Sequence, residues 1–291
     1  MTELQRMAGN VGAPAGDASA VAGQLFETFS QQDIALQRFQ PFTPSSVYPS
    51  EHLERVNIRG PYQTGIRLDG CWNATISDPF INGPLGDEAE YGNPQQMQVG
   101  IDLVGAMDCE IAKPHVTCAN VGVRARTHPD GFPRSEDFNL TGGWLMHVNT
   151  GVELTGSHLG GWPTPCAHIQ CRHIAFNKFA ITATDTAFLK IVDTNCYASH
   201  YTRTAWCIYL VRCKHVQIRG CEFWSNWPPG AQGFFGGIVL DQCEDVTITD
   251  GEFAPSITLA LHATASCKNV RTNGKVWDEL AKAGKVANYA S

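Results

Sequence analysis

The chain has 291 residues, 43% of them hydrophobic and only 17% charged, with 28 glycines and a net charge of −7. That balance suits a strand-and-turn protein with a large core better than a helical one. The acidic charge and the lack of a Lys/Arg cluster argue against nucleic-acid binding, and no apolar run of about eighteen residues offers a transmembrane helix.

The first residues, "MTELQRMAGNVGAPAGD", lack the basic-then-apolar pattern of a secretory signal peptide. Val21, Leu25, Phe26 and Phe29 recur at helical spacing, which predicts a helix within residues 18–39. A Pro-rich stretch, "PFTPSSVYP", follows. Residues 1–46 are therefore expected to form a separate segment, a cap or a docking piece.

Residues 47–277 repeat one pattern. With Ile66 at offset zero, apolar residues fall at offsets two, five, eight, ten and fifteen: Leu68, Cys71, Ala74, Ile76 and Ile81. Ile101, Leu103, Ala106, Cys109, Ile111 and Val116 fit the same template, as do Ile181, Ala183, Thr186, Leu189, Ile191 and Cys196. Ile208, Leu210, Cys213, Val216, Ile218 and Phe223 fit it again, followed by Ile238, Leu240, Cys243, Val246, Ile248 and Phe253. Two further copies need insertions: Val123, Ala125, Ser135, Phe138, Leu140 and Leu145 with seven residues added, and Val152, Leu154, Cys166, Ile169, Cys171 and Phe176 with nine. Weak copies flank the series, with Leu53, Val56 and Ile58 at offsets five, eight and ten, and His262, Thr264, Cys267, Val270, Thr272 and Trp277 at the end.

Offsets zero–two and eight–ten are apolar pairs around a polar residue, the alternation of a strand. Gly, Asn, Asp and Pro between them mark turns. No copy buries its apolar side alone, so copies must stack, and fixed offsets become columns of like side chains. The prediction is an all-β parallel β-helix of about eight rungs, with a short N-terminal helix. The helix-prone tail "DELAKAGKVANYA" places a cap or tail over residues 278–291. The outward residues at offset one, Arg67, Asp102, Arg124 and Glu153, alternate in sign where neighbours would sit side by side.

The eleven cysteines recur at inward stations, where Cys acts as a small apolar side chain. No disulfides are expected, and the pattern points to synthesis in a reducing cytoplasm. The segment "CAHIQCRHI" offers Cys166, His168, Cys171 and His173. Its cysteines fall on inward stations with the histidines outside, so neither a metal site nor a cofactor is predicted.

Chemistry is expected in the insertions. Two enlarge the first corner on successive copies: Arg126 to Arg134 and Thr155 to Pro165. They bring together Asp130, Arg134, Glu136, His158 and Trp162. The second corner carries Trp224 and Trp227, with loops after Asn82, Tyr197 and Trp224. Aromatic rings offer flat apolar faces to sugars, so Trp162, His158 and Arg134 are the first choice for glycan contact and Trp224 and Trp227 the second. If the protein is an enzyme, Asp130 and Glu136 are the candidate catalytic carboxyl pair that glycoside hydrolysis needs.

The column pattern resembles the pectate-lyase-like right-handed β-helix found in polysaccharide-degrading enzymes and in bacteriophage tailspikes. That resemblance implies a right-handed parallel β-helix here. The enzymes' Gly-Asp-Gly and Gly-His-Gly motifs are missing, so the resemblance carries over no catalytic residue. The tailspike or tail-fibre type implies a virion tail protein made in the host cytoplasm. It implies a homotrimer, joined to other phage tail proteins through the N-terminal segment, that binds and possibly cleaves a host surface polysaccharide. A free polysaccharide lyase or glycoside hydrolase, and a structural virion rod without glycan activity, are the alternative expectations.

Overall fold

The computed structural model describes residues 52–60, 62–84, 97–129, 135–157, 164–199, 204–225 and 234–287, and the backbone of the strand Ala35–Arg38. The described residues are mostly β, 67% strand and 4% helix. Among the described residues, 23 strands join one sheet, and every pairing given for them is parallel. The architecture is consistent with an all-β solenoid.

The pairings form three stacks. The first joins strands such as Thr64–Asp69, Val99–Val104 and Val121–Arg126. The second joins Thr75–Ser77, Glu110–Ala112 and Phe138–Thr141. The third joins Phe80–Asn82, His115–Thr117 and the start of Trp144–Thr155. Each copy from Ile66 to Ile238 contributes to all three, and the last copy contributes strands to the first two.

The offset-zero column is continuous. Ile66 pairs with Ile101, Ile101 with Val123 and Val123 with Val152. Val152 pairs with Ile181, Ile181 with Ile208 and Ile208 with Ile238. All seven are fully buried. Cys71, Cys213, Cys243 and Cys267 are buried at offset five. Their thiols donate to carbonyls of the preceding copy where the contacts are given: Cys213 to Ala183, Cys243 to Leu210 and Cys267 to Leu240, each at 3.4 Å.

Three frames differ from the sequence expectation. Phe138 pairs with Ala167 and Leu140 with Ile169, so the insertion after Leu154 is seven residues, not nine. The true stations are Thr164, Ala167, Ile169 and Ile174. Cys166 is exposed rather than inward, at φ 59°. Small Ala167 and polar Thr164 are weak apolar signals, which is why the more hydrophobic neighbours looked like the stations. In the last copy Leu261 and Ala263, not His262 and Thr264, pair with Ile238 and Leu240. In the first copy Leu53 pairs with Ile76 and Ile58 with Ile81, which moves that copy's frame by five residues.

The corners are built from left-handed backbone. At offset seven, Asn73, Asp108, Asp137, Cys166, Phe188, His215, Asp245 and Asn269 all have φ between 52° and 59°. Asn and Asp tolerate this region because their short polar groups bond locally. Just before each first-stack station lies a small residue. A Cβ at Gly100 would meet the Gly122 carbonyl at 2.6 Å and the Val116 side chain at 2.4 Å. Only glycine fits there because the third-stack station presses on the first-stack backbone.

A buried polar ladder crosses the core: Asn149 donates to Asn120 Oδ1 at 2.8 Å, and Asn177 to Asn149 Oδ1 at 3.2 Å. The strand Ala35–Arg38 pairs with Thr64–Asp69 and extends the first stack into the segment assigned to an N-terminal helix. Val21 to Phe29, the core of that expected helix, lie outside the described residues. At the other end the helix Lys275–Lys282 begins before residue 278 and buries Trp277. The indole meets Phe253 edge-on at 5.0 Å, so the helix closes the fifteenth-offset column. Strand Val286–Ala287 then rejoins the first stack.

Candidate functional site

Of the residues predicted for the site, Asp130, Arg134, His158, Trp162 and Trp227 lie outside the described residues. Glu136 and Trp224 are described. Glu136 sits at the first corner, where its carbonyl accepts the Asp108 N–H at 3.1 Å. Trp224 ends a third-stack strand, in register with Tyr197 and 38% exposed. They belong to different corners, and no described contact joins them.

The third stack presents outward rings that sequence inspection missed. Phe80, His115, Trp144 and His173 occupy offset fourteen on four successive strands, each in register with the next. Their centroids lie 4.7, 6.1 and 6.5 Å apart. Tyr197, two positions along the next strand, continues the stripe 5.6 Å from His173. The inward neighbours Ile81, Val116, Leu145 and Ile174 are fully buried, and strand alternation turns the ring before each of them outward. The mark in the sequence is an aromatic or histidine immediately before the offset-fifteen station. The misplaced frame in the fourth copy hid it at His173.

Trp144 is 40% exposed. Guanidinium groups cover two of the rings: Arg59 over Phe80 at 5.2 Å and Arg172 over Trp144 at 5.3 Å. Burial against these neighbours pushes His115 below its ordinary value, and burial does the same to His173 against the opposing hydrogen bond with Asn195. Both imidazoles are therefore neutral at pH 7 and stack as aromatic rings. Beyond them the stripe becomes polar, where Asn195 donates to Glu222 at 2.6 Å and Glu222 pairs in register with Glu252.

Two charged groups flank the first corner. On the first stack, Asp102 is 1% exposed and accepts from two guanidinium groups. Arg124 reaches its oxygens at 2.9 and 3.0 Å, and Arg126 at 3.3 and 3.0 Å. Burial raises the Asp102 carboxyl, but the two arginines outweigh it and hold it below the ordinary carboxylate value. The alternation of sign along offset one is thus partly an ion-pair ladder; Arg67 turns instead to Asp69 at 3.0 Å.

At the foot of both enlarged loops, Asp108 and Asp137 stand on neighbouring corners. Burial raises the Asp108 carboxyl, and the charge and hydrogen bond of Asp137 raise it further. Beside them the Cys166 thiol is pushed up to about 11, by burial and then by Asp137. Two carboxyls joined by a hydrogen bond, one of them shifted upward, are the kind of pair that can pass a proton. Among the described residues no group of three or more His, Cys, Asp or Glu is arranged to hold a metal ion.

Comparison of the chain with protein-family models, with curated proteins and with solved structures found no match.

Proposed function

We propose that the protein is a right-handed parallel β-helix of the bacteriophage tailspike or tail-fibre type, with about eight rungs, one for each copy of the repeat. In this proposal it binds a host surface polysaccharide along the third stack. The observation that supports this is the stripe from Phe80 through His115, Trp144 and His173 to Tyr197. Neighbouring strands are about 4.8 Å apart, a spacing similar to the repeat of an extended chain of pyranoses. Successive rings thus meet successive sugars if the glycan lies parallel to the stack. Binding pockets that use aromatic faces with a few polar groups take ligands in this way. The homotrimer, the attachment of the N-terminal segment to other tail proteins and the place in the virion tail belong to the same proposal.

The test is titration of the protein with purified capsular and lipopolysaccharide chains of candidate hosts, followed by tryptophan fluorescence. Saturable quenching that disappears in Trp144→Ala supports the proposal. Undiminished binding in that variant moves the glycan elsewhere, and no binding to any host polymer leaves the structural-rod alternative.

A second reading, glycoside hydrolysis, is favoured by the hydrogen-bonded Asp108–Asp137 pair beneath the enlarged loops. Release of reducing ends from a bound polymer, abolished in Asp108→Asn and in Asp137→Asn, would establish it. A full release rate in both variants excludes this pair.

A further inference from the structure

Charge is sorted along the aromatic stripe. Its first part carries Arg59 and Arg172 above rings, with Lys113 exposed at the corner between. Its last part carries Glu222 and Glu252, with Asp193 and Asp250 at the adjoining corners. Asp78, at the corner before Phe80, and Glu54, which pairs with Arg55 at 3.4 Å, are acids at this end of the stripe. Arg59 and Arg172 are exposed, and neither has a carboxylate partner among the described residues. This differs from the first stack, where Arg124 and Arg126 are tied to Asp102.

A guanidinium lying over a ring keeps its edge free, and that edge presents two parallel N–H donors that match a carboxylate. The rings below Arg59 and Arg172, Phe80 and Trp144, are separated by one intervening strand bearing His115. Two strand steps are about 10 Å, the length of roughly two extended sugars. Arg59 itself lies on the strand before Phe80 and Arg172 just before the strand after Trp144, so the two guanidinium groups bracket the run of rings that passes through the neutral His115.

We infer that the polysaccharide taken by this stripe is acidic and carries carboxylates, as a polymer containing uronate sugars does. Arg59 and Arg172 hold carboxylates at the two ends of the run of rings, and the sugars between them lie on Phe80, His115 and Trp144. The acids from Asp193 onward repel such a chain, so its charged part ends near His173. The net charge of −7 makes the rest of the surface a poor host for a polyanion. This inference rests on the stripe being a glycan surface.

The experiment uses the full chain and two alternating uronate polymers, hyaluronan and unsulfated heparosan, as oligomers. Each is compared with the same oligomer whose carboxylates have been reduced to alcohols. The expected result is that at least one acidic form binds tighter than its reduced form by about tenfold or more. That preference should weaken with salt. Arg59→Gln and Arg172→Gln should each remove most of it without touching the reduced form. Equal binding of acidic and reduced forms, lost in Trp144→Ala, overturns the acidic inference and keeps the glycan surface. A preference that survives both arginine variants also overturns it. Binding of neither form of either polymer overturns the glycan surface together with the inference.

Discussion

The indole of Trp144 and the imidazole of His115 lie on neighbouring strands with planes 17° apart and centroids 6.1 Å apart. They stack on the outside, whereas Phe223 and Phe253 stack on the inside at 4.8 Å. The same pairing geometry serves a surface in one place and the core in the other, and replacing each ring has a different consequence.

Trp144→Ala is expected to change stability by no more than about 0.5 kcal/mol, because the ring stands on the outer face of the strand and is 40% exposed. Phe223→Ala removes a ring that is 1% exposed and is expected to cost about 3–5 kcal/mol. Urea titration of the two variants beside the parent separates the outer stack from the inner one. A loss of several kcal/mol in Trp144→Ala would show the stripe to be part of the core.

Asp102→Asn removes the acceptor that two guanidinium groups share. The expected cost is about 3 kcal/mol, at the low end for breaking a buried pair, because both arginines keep some contact with water. The folded carboxyl is depressed, so its stabilisation is present above the ordinary value of 3.8 and is lost as pH falls through the lower folded value. In acid the parent should converge on the variant. A constant gap between them down to the lowest pH at which both fold would contradict the assignment.

Asn149→Leu breaks the middle of the asparagine ladder. It removes the Asn149 amide that donates to Asn120 Oδ1 and the oxygen that accepts from Asn177. Each lost hydrogen bond costs roughly 1 kcal/mol. Hydrogen exchange should rise first in the strands around residues 120, 149 and 177, and uniform protection across those strands would count against the ladder.

Four histidines, His115, His147, His168 and His173, are pushed by burial below the ordinary value of 6.5. The unfolded chain takes up their protons first as pH falls, so stability is full above about 6.5 and declines below it. The urea midpoint should drop between pH 7 and pH 5. His115→Gln with His173→Gln should flatten part of that drop. An unchanged pH profile in the double variant would mean that the stripe does not shield its imidazoles.

The sequence by itself determined the parallel stacking, because an apolar side chain at a fixed offset has one inward direction. Ile66, Ile101 and Val123 needed no neighbour beyond the repeat to be placed. Glycines before those stations, in "TGI", "VGI" and "VGV", also carried a readable requirement for close approach. The copy after Val152 was legible only in part, since Ala167 offers little apolar surface, Thr164 is polar in the sequence and Cys166 beside them reads as a better core residue. Only the tertiary structure showed Cys166 outside, held at a left-handed corner by the register of Phe138 against Ala167. The stripe from Phe80 to Tyr197 was likewise decided in three dimensions. Its members lie 24 to 35 residues apart along the chain, and each is unremarkable alone. They become one surface because parallel pairing sets residues of equal offset side by side, about 4.8 Å apart, however long the loops between them are.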